Sequence, residues 1–210
     1  MTRPGTTISA VIFDLGNVLL DFDHSIAARG IKPYTNKTVE EIYQLFFDSG
    51  ITGVFEEGLI GPRDFFLKVK GLLGADISYE KFLPIWNEIF FFSDRNRQVY
   101  ALAKALKAHY RIGLLSNINI LHLEYIKNHF PILDIFDNVF ASCQLKRKKP
   151  DHEIYLWALK EMDVLPENAF YTDDRAELIE EARSLGINGF VFQNPEQLKK
   201  DLSSLGVRLE

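Results

Sequence analysis

Five short apolar runs, rich in β-branched and aromatic residues, constrain the fold of this chain more than any other feature of its sequence. Each run is too short for a helix and suits a strand that is buried on both faces of a sheet. The runs are Ser9–Leu15, Arg111–Ser116, Asn138–Ser142, Ala169–Thr172 and Gly189–Phe192. Helical patterns lie between them, and strands that alternate with helices predict an α/β protein with a parallel sheet wound on both faces.

Helical spacing and end signals mark the segments between these strands. The apolar residues of Val99–Ala108 recur at helical spacing, and Asp151 is a candidate N-cap for the helix after the third strand. Gly186 stands where a helix commonly ends, and Pro195 suits the first turn of a last helix.

The segment between the first and second strands is too long for a single crossover helix. It is rich in phenylalanine, tyrosine, leucine and isoleucine at mixed helical spacing, which predicts a small helical subdomain inserted after the first strand. We expect residues 1–22 and 95–210 to form the sheet core. Residues 23–94 are expected to form a helical cap over the edge of the sheet where polar residues gather.

Charge and cysteine content limit the partners and the compartment. The 24 basic and 29 acidic residues give a formal charge of −5, so neither nucleic acid nor an anionic membrane is a predicted partner. Cys143 is the single cysteine, the N-terminal segment lacks the apolar run of a signal peptide, and no apolar stretch reaches the roughly 18 residues of a membrane span. We expect a cytoplasmic protein that is a monomer or a homodimer.

Polar residues stand at the carboxyl ends of three predicted strands. Asp14 ends the first, Ser116 and Asn117 end the second, and Asp173 and Asp174 end the fourth. In a parallel sheet these ends share one edge, where active sites lie. Asp14 alone is more typical of a loop-capping aspartate than of a nucleophile, but the residues at the other strand ends favour the nucleophile.

A lysine and an acidic doublet add to this set. Lys149 precedes Pro150, which disfavours helix at the lysine, and its ammonium could neutralise a phosphoryl group. The adjacent carboxylates of Asp173 and Asp174 repel each other unless a proton or a cation offsets the repulsion, and carboxylate oxygens with an open side suit Mg²⁺. A nucleophile, a hydroxyl, a cation and metal ligands are the parts that phosphoryl transfer requires.

The chain resembles the haloacid dehalogenase-like superfamily of hydrolases through four motifs, which read FDLGNVLLDFD, LLSN, KKPDHEIY and YTDDRAELIEEARSLGI in chain order. The resemblance spans the whole chain and implies a Rossmann-like parallel core with an inserted cap of the four-helix type. The first motif, of the DLGNV type, resembles in particular the sugar-phosphate phosphatase branch, which is related to the N-terminal domain of soluble epoxide hydrolases.

This resemblance implies roles for the acidic residues. Asp14 would attack phosphorus and form an aspartyl-phosphate. A carboxylate oxygen of Asp14, the backbone carbonyl of Gly16 and the carboxylate of Asp174 would hold Mg²⁺. Asp173 would support these ligands from behind.

The resemblance also implies a binding site for the phosphoryl group. The Ser116 hydroxyl, the Asn117 backbone N–H and the Lys149 ammonium would hold the phosphoryl oxygens, and Lys149 would thereby take part in catalysis. Leu15, next to the nucleophile, is a further expected substrate-binding residue.

Two positions depart from the family pattern. The family has a second aspartate two residues after the nucleophile, as general acid and base, and this chain has Gly16 there. Because such help contributes ~10²–10⁴-fold in rate, we hypothesise a substrate with an easy leaving group, such as an anomeric sugar phosphate or an aryl phosphate. The alternative is that a cap residue, Asp21 or Asp23 supplies the proton. Leu178 stands four residues after Asp174, where a polar residue is commoner, which argues against a third acidic metal ligand at that position.

Some side chains outside the strand ends are further candidate site residues. In the cap, Glu56, Glu57 and Arg63 are candidates for substrate contact. His122 lies one turn past the second strand and could face the site, but a surface position is the expectation for it.

Three functions fit these observations. The first is Mg²⁺-dependent hydrolysis of a small phosphorylated metabolite, with a sugar phosphate as the expected substrate. The second is 2-haloacid dehalogenation, which uses an aspartate nucleophile without a metal, but the Asp173–Asp174 pair would repel the carboxylate of its substrate. The third is a non-catalytic binding scaffold on the same fold, against which the retained Asp14, Lys149 and Asp174 argue.

Overall fold

The computed structural model describes residues 7–48 and 50–209. Its strands are β1 (Ala10–Phe13), β2 (Asp21–Phe22), β3 (Phe90–Phe91), β4 (Arg111–Ser116), β5 (Asn138–Ala141), β6 (Ala169–Asp173) and β7 (Asn188–Val191). Its helices are α1 (His24–Ile31), α2 (Val39–Asp48), α3 (Ile51–Glu56), α4 (Pro62–Leu73), α5 (Tyr79–Asn87), α6 (Asp94–Leu106), α7 (Ile120–His129), α8 (Ser142–Leu145), α9 (His152–Glu161), α10 (Ala176–Ser184) and α11 (Pro195–Ser204).

The main sheet is parallel and has the strand order β5-β4-β1-β6-β7. Its strands are the five apolar runs of the sequence, with ends that differ from the predicted ones by at most two residues. The predicted α/β class with a Rossmann-like parallel core is confirmed. Strand β1 lies at the centre, so the residue after its last position reaches the middle of the carboxyl edge.

Both faces of the sheet are covered, which explains why the strands read as continuous apolar runs. Side chains along a strand point alternately to opposite faces. Val11 and Phe13 of β1 contribute to a core with α6, α7 and α11, whereas Ala10 and Ile12 contribute to a core with α9 and α10. Because both sets are buried, neither position of the alternation is open to a polar residue.

The predicted helix ends can be compared with the hydrogen bonds that form them. The carboxylate of Asp151 accepts a hydrogen bond from the Glu153 N–H at 2.9 Å, as an N-cap does, and Pro195 is the first residue of α11. Helix α6 begins at Asp94, earlier than the apolar spacing indicated, because the side chain of Ser93 caps its first turn.

The helical insertion lies between β2 and β3, which pair antiparallel where the chain leaves the core and returns to it. Within the described residues it contains four helices of eight or more residues and the six-residue helix α3. These helices share a core of their own, which includes Ala27, Ile42, Phe55, Phe65, Phe82 and Trp86. The fold therefore consists of a parallel core with an inserted helical cap. The exact boundaries at residues 22/23 and 94/95 stay a prediction.

Across residues 7–48 and 50–209, none of the helices is long and apolar enough to cross a membrane. The segment in which the sequence predicts no signal peptide falls largely on residues 1–6, outside the described residues.

Candidate active site

The carboxyl edge of the sheet brings the predicted site residues together. Asp14 follows β1, Ser116 ends β4 and Asp173 ends β6, and these three strands are neighbours in the sheet. They line a cavity of about 420 Å³. The sheet side of this cavity also includes Leu15, Gly16, Asn17, Asn117, Lys149, Asp174 and Arg175, and the cap side includes Phe22, His24, Gly53, Glu56 and Phe90. The cavity thus lies between the core and the cap.

Lys149 is the centre of the polar side of the cavity and is only 2% exposed. Its ammonium donates hydrogen bonds to Asp14 Oδ1 at 2.7 Å and to Asp173 Oδ2 at 2.6 Å. It also lies 2.9 Å from the Leu115 carbonyl and 3.0 Å from the Tyr171 hydroxyl. Burial alone would lower the pKa of Lys149, but the two carboxylates raise it, so the lysine stays charged.

The side chain of Asn117 fixes the backbone at Lys149. Its amide donates to the Lys149 carbonyl at 2.9 Å and accepts from the Lys149 N–H at 2.8 Å. Ser116 and Asn117 both line the cavity, and the side chain of Asn117 is engaged by this pairing. Leu15 is buried at the cavity wall.

Three carboxylates lie close together beside the ammonium of Lys149, which contacts two of them. One oxygen from each of Asp14, Asp173 and Asp174 lies within 4.8 Å of the other two. Burial raises the pKa of Asp14 to about 7, against the lowering effect of Lys149, and the neighbouring carboxylates Asp173 and Asp174 raise it further. Burial also raises the pKa of Asp174. The cluster therefore carries more negative charge than its lysine balances, and a proton or a cation stabilises it.

The oxygens of these carboxylates differ in the number of hydrogen bonds that they accept from the protein. Asp173 Oδ2 accepts from Lys149 and from the Tyr171 hydroxyl, and its Oδ1 accepts from the Arg175 N–H at 3.0 Å. Burial acts to raise the pKa of Asp173, but these donors and the charge of Lys149 hold it below its usual value. By contrast, Asp14 Oδ2 accepts no hydrogen bond within the described residues.

The donor set fits a divalent cation such as Mg²⁺. Mg²⁺ prefers oxygen ligands, and this cluster supplies carboxylate oxygens with a surplus of negative charge. Asp14 and Asp174 are better placed to bind an ion directly than Asp173, because both oxygens of Asp173 already accept hydrogen bonds from the protein.

A family model provides the decisive comparison, since that of the haloacid dehalogenase-like hydrolases matches residues 8–186. The chain belongs to this family. The resemblance predicted from the four motifs is confirmed at the level of the family, whereas the sugar-phosphate phosphatase branch stays a prediction.

Several known members are similar over most of their length. A D-ribitol-5-phosphate phosphatase of Bacteroides thetaiotaomicron is 25% identical, over 93% of this chain and 97% of the relative. A haloacid dehalogenase family enzyme of the same organism, solved in complex with magnesium and inorganic phosphate, has a TM-score of 0.77 at 28% identity and covers 89% of this chain and 94% of that chain. A 2-haloacid dehalogenase of Pseudomonas syringae pv. tomato, with a TM-score of 0.66 at 18% identity, covers 94% of this chain and 99% of that chain and shares the fold.

Two polar residues of this hydrolase were missed by the sequence analysis. Asn17, with a left-handed φ of 54°, donates from its side chain to Asp174 Oδ2 at 2.9 Å. Tyr171 donates to Asp173 and lies against Lys149. Strand alternation could have revealed Tyr171, because it stands two residues before Asp173 and therefore points to the same face. No local pattern signals the contact of Asn17.

The position at which the family carries its second aspartate is closed off in this hydrolase. A Cβ atom built on Gly16 would lie 2.8 Å from Cε1 of Phe22, closer than such atoms approach in real structures. The ring of Phe22 therefore occupies the space beside Gly16, and a longer side chain there requires Phe22 to move.

The alternative proton donors Asp21 and Asp23 lie where the chain passes from the core into the cap, and both are bonded to other groups. Asp21 accepts hydrogen bonds from Ser93 at 2.7 Å and from Arg95, and these donors lower its pKa although partial burial acts to raise it. Asp23 caps α1 through Ser25, and this hydrogen bonding lowers its pKa. Neither aspartate is among the described residues that line the cavity.

The expected surface position of His122 is wrong. His122 is 5% exposed, and its ring stacks on Trp86 of the cap with centroids 4.9 Å apart. Its Nε2 lies 3.0 Å from the Trp86 carbonyl, and its Nδ1 lies 3.0 Å from the side-chain amide of Asn119. A neutral ring with the proton on Nε2 satisfies both contacts, and burial lowers the pKa of His122 to about 3.

The three candidate residues of the cap have different surroundings. Glu56 lines the cavity, and burial raises its pKa to about 7. Glu57 lies 4.0 Å from the ammonium of Lys148, outside the cavity lining. Arg63 stacks over the ring of Tyr79 at 4.6 Å and does not line the cavity.

Proposed function

We propose that this hydrolase is a Mg²⁺-dependent phosphatase that acts on a small phosphorylated metabolite, a sugar phosphate, through an aspartyl-phosphate intermediate. The proposal is supported by a relative that is a D-ribitol-5-phosphate phosphatase and by a structural neighbour solved with magnesium and inorganic phosphate. The observation that carries it is the arrangement of one buried ammonium and three carboxylates in a cavity of metabolite size.

Asp14 is the proposed nucleophile. Its Oδ1 is held by Lys149 at 2.7 Å, whereas its Oδ2 accepts no hydrogen bond among the described residues and is available for attack. Attack of Asp14 on phosphorus forms a bond between the carboxylate and phosphorus as the bond to the leaving oxygen breaks. Water then attacks the phosphorus and releases inorganic phosphate and the free carboxylate.

The residues around Asp14 stabilise the charge that develops on the phosphoryl oxygens. The Ser116 hydroxyl and the Asn117 backbone N–H supply hydrogen bonds, and Lys149 supplies a buried positive charge. Leu15 forms the adjoining wall of the substrate site. Hydrogen bonds between Asn117 and Lys149 keep the lysine in place, so it needs little reorganisation during the reaction.

The carboxylates of Asp14 and Asp174, together with the backbone carbonyl of Gly16, would hold Mg²⁺, with Asp173 behind them. A bound Mg²⁺ supplies positive charge that offsets the repulsion between the carboxylates and the phosphoryl oxygens. Asn17 orients Asp174 for this role through its hydrogen bond at 2.9 Å.

A panel of phosphorylated metabolites, assayed for release of inorganic phosphate with Mg²⁺ and with EDTA, tests the proposal. We expect sugar phosphates to be hydrolysed only with Mg²⁺, and the Asp14→Asn variant to lose activity by a factor on the order of 10³ or more. Phosphate release that persists in EDTA or in Asp14→Asn would refute the mechanism. Chloride release from a 2-haloacid without a metal would support the dehalogenase alternative instead.

A further inference from the structure

The cavity contains one acidic side chain besides the three clustered aspartates. Among the described residues that line it, the acidic ones are Asp14, Asp173, Asp174 and Glu56. Asp14 and Asp173 accept hydrogen bonds from Lys149 and Asp174 lies beside them, whereas Glu56 belongs to the cap. Its carboxyl has no hydrogen-bond or ion-pair partner among the described residues. A half-buried acid that the protein does not use for structure is available to a ligand.

Contacts with the core set the position of Glu56. The Glu56 carbonyl accepts a hydrogen bond from the hydroxyl of Ser142 at 2.6 Å, where β5 ends. Two residues further on, Gly58 (φ 67°) packs so closely that an added Cβ would lie 2.1 Å from the Cys143 carbonyl oxygen. These two contacts fix the end of α3 against the core.

The face of α3 that carries Glu56 lies next to the side chain of Lys148. Gly53 and Glu56 are three residues apart, so they share one face of the helix. A Cβ built on Gly53 would lie 2.5 Å from the ammonium of Lys148, the neighbour of Lys149. Glu56 and Lys148 therefore line the same cavity, with Glu56 on the face of α3 that is next to Lys148.

We propose that Glu56 is the general acid and base of the phosphatase reaction. It would replace the aspartate that the family has at the position of Gly16. The inference rests on the function proposed above. When Asp14 attacks phosphorus, the protonated carboxyl of Glu56 gives its proton to the leaving oxygen, and the alcohol departs neutral. The resulting Glu56 carboxylate then takes a proton from the water that attacks the aspartyl-phosphate. Inorganic phosphate leaves, and both Asp14 and protonated Glu56 are regenerated.

The charges around Glu56 suit this exchange. Burial raises the pKa of Glu56 to about 7, while Lys148, Arg175 and Lys149 act to lower it and Glu57 acts to raise it. A group with a pKa near neutrality is present in both protonation states at neutral pH and can serve as acid in one step and as base in the next.

Two substrates separate this role from a structural one. An alkyl phosphate, such as glycerol 3-phosphate or a sugar 6-phosphate, has a leaving oxygen that needs a proton, whereas p-nitrophenyl phosphate does not. In Glu56→Gln we expect kcat/KM to fall about 10²–10⁴-fold on the alkyl phosphate and to stay within about threefold of wild type on p-nitrophenyl phosphate. Because the base is also lost, the variant should release p-nitrophenol in a burst of about one equivalent before slow turnover.

The controls make each outcome decisive. Glu180→Gln removes an exposed carboxyl of α10, outside the cavity lining, and should leave both rates unchanged. An equal loss on both substrates in Glu56→Gln would assign the residue to positioning or folding and overturn the proposal. Unchanged alkyl phosphate hydrolysis in Glu56→Gln, with Asp14→Asn inactive, would overturn the role of Glu56 alone. If wild type hydrolyses neither phosphate, the phosphatase function fails, and the role of Glu56 fails with it.

Discussion

Replacing Lys149 by methionine should destabilise the fold strongly, because it removes the cation that lies between two buried carboxylates. The side chain of Lys149 is 1% exposed, and its ammonium lies 2.7 Å from Asp14 and 2.6 Å from Asp173. Methionine matches the length of the lysine stem, so the variant leaves little cavity. The main change is that two carboxylates remain buried without their counter-ion.

The magnitude follows from that geometry. Removal of one partner from a buried ion pair costs about 3–5 kcal/mol, since the remaining charge is uncompensated. For a chain of this size, each 1 kcal/mol shifts Tm by roughly 2–4 °C, which corresponds to a loss of about 6–20 °C.

The loss in the free energy of unfolding that Lys149→Met causes should depend on pH. Without the ammonium, the pKa of Asp14, already raised to about 7, and the pKa of Asp173 both move upward. A carboxyl with a folded pKa above its unfolded value stabilises the fold below the unfolded pKa, and this stability is lost as pH rises through the folded pKa. The deficit is therefore largest near pH 8 and smaller near pH 5.

Urea unfolding at pH 8 and pH 5, in EDTA so that no divalent cation replaces the lysine, measures these quantities. Urea is preferred to guanidinium because it does not screen charges. The matched control is Lys148→Met, whose side chain is one-third exposed and 4.0 Å from Glu57, and it should lie within about 0.5 kcal/mol of wild type. A deficit for Lys149→Met below about 1 kcal/mol at pH 8, or an equal deficit at both pH values, would show that the buried charges are not balanced as described.

Two further predictions concern the contact between cap and core. Gly58→Ala should lower the free energy of unfolding by about 2–4 kcal/mol, because its Cβ would lie 2.1 Å from the Cys143 carbonyl oxygen and its φ is 67°. Gly74→Ala, with a similar φ of 57° and open space around it, should cost only about 1 kcal/mol, and equal losses in thermal melts would contradict the packing argument. His122, whose pKa is lowered from 6.5 to about 3 by burial, should destabilise the protein as pH falls below about 6.5, because the unfolded chain binds a proton that the folded chain does not. The loss in the free energy of unfolding amounts to about 2 kcal/mol at pH 5. It is measured by urea unfolding of wild type and His122→Gln as a function of pH. A pH dependence in the variant equal to that of wild type would argue against a buried neutral histidine.

The sequence indicated the sheet and the edge at which its polar residues meet. Strand β4 was predicted with its observed bounds, and Asp14, Ser116 and Asp173 line one cavity as the strand-end rule requires. This succeeds because a strand buried on both faces needs a continuous apolar run, and parallel strands bring all their carboxyl ends to one side. The polar residue after such a run is then placed by topology alone.

The sequence determines less about the helical insertion. Its apolar spacing predicted helices, but the direction of each helix depends on packing against the others and on the core. His122 was expected at the surface because nothing near it in sequence reveals that Trp86 covers it. The sequence makes Asp21 and Asp23 candidate proton donors, yet Asp21 accepts a hydrogen bond from Ser93 beside the β2–β3 pair and Asp23 accepts one from Ser25 as the N-cap of α1.

What the sequence alone determined, then, is the parallel α/β core, the inserted helices and the set of groups at the strand ends. Only the tertiary structure decided that Lys149 bridges Asp14 and Asp173, that Phe22 closes the space beside Gly16, and that Glu56 reaches the cavity. The reason is physical. Patterns of burial repeat every two residues in strands or every three to four in helices, and they are local. The contact between Lys149 and Asp14 joins residues 135 positions apart, and that between Ser142 and Glu56 joins residues 86 positions apart. Such distances are set by how whole strands and helices pack.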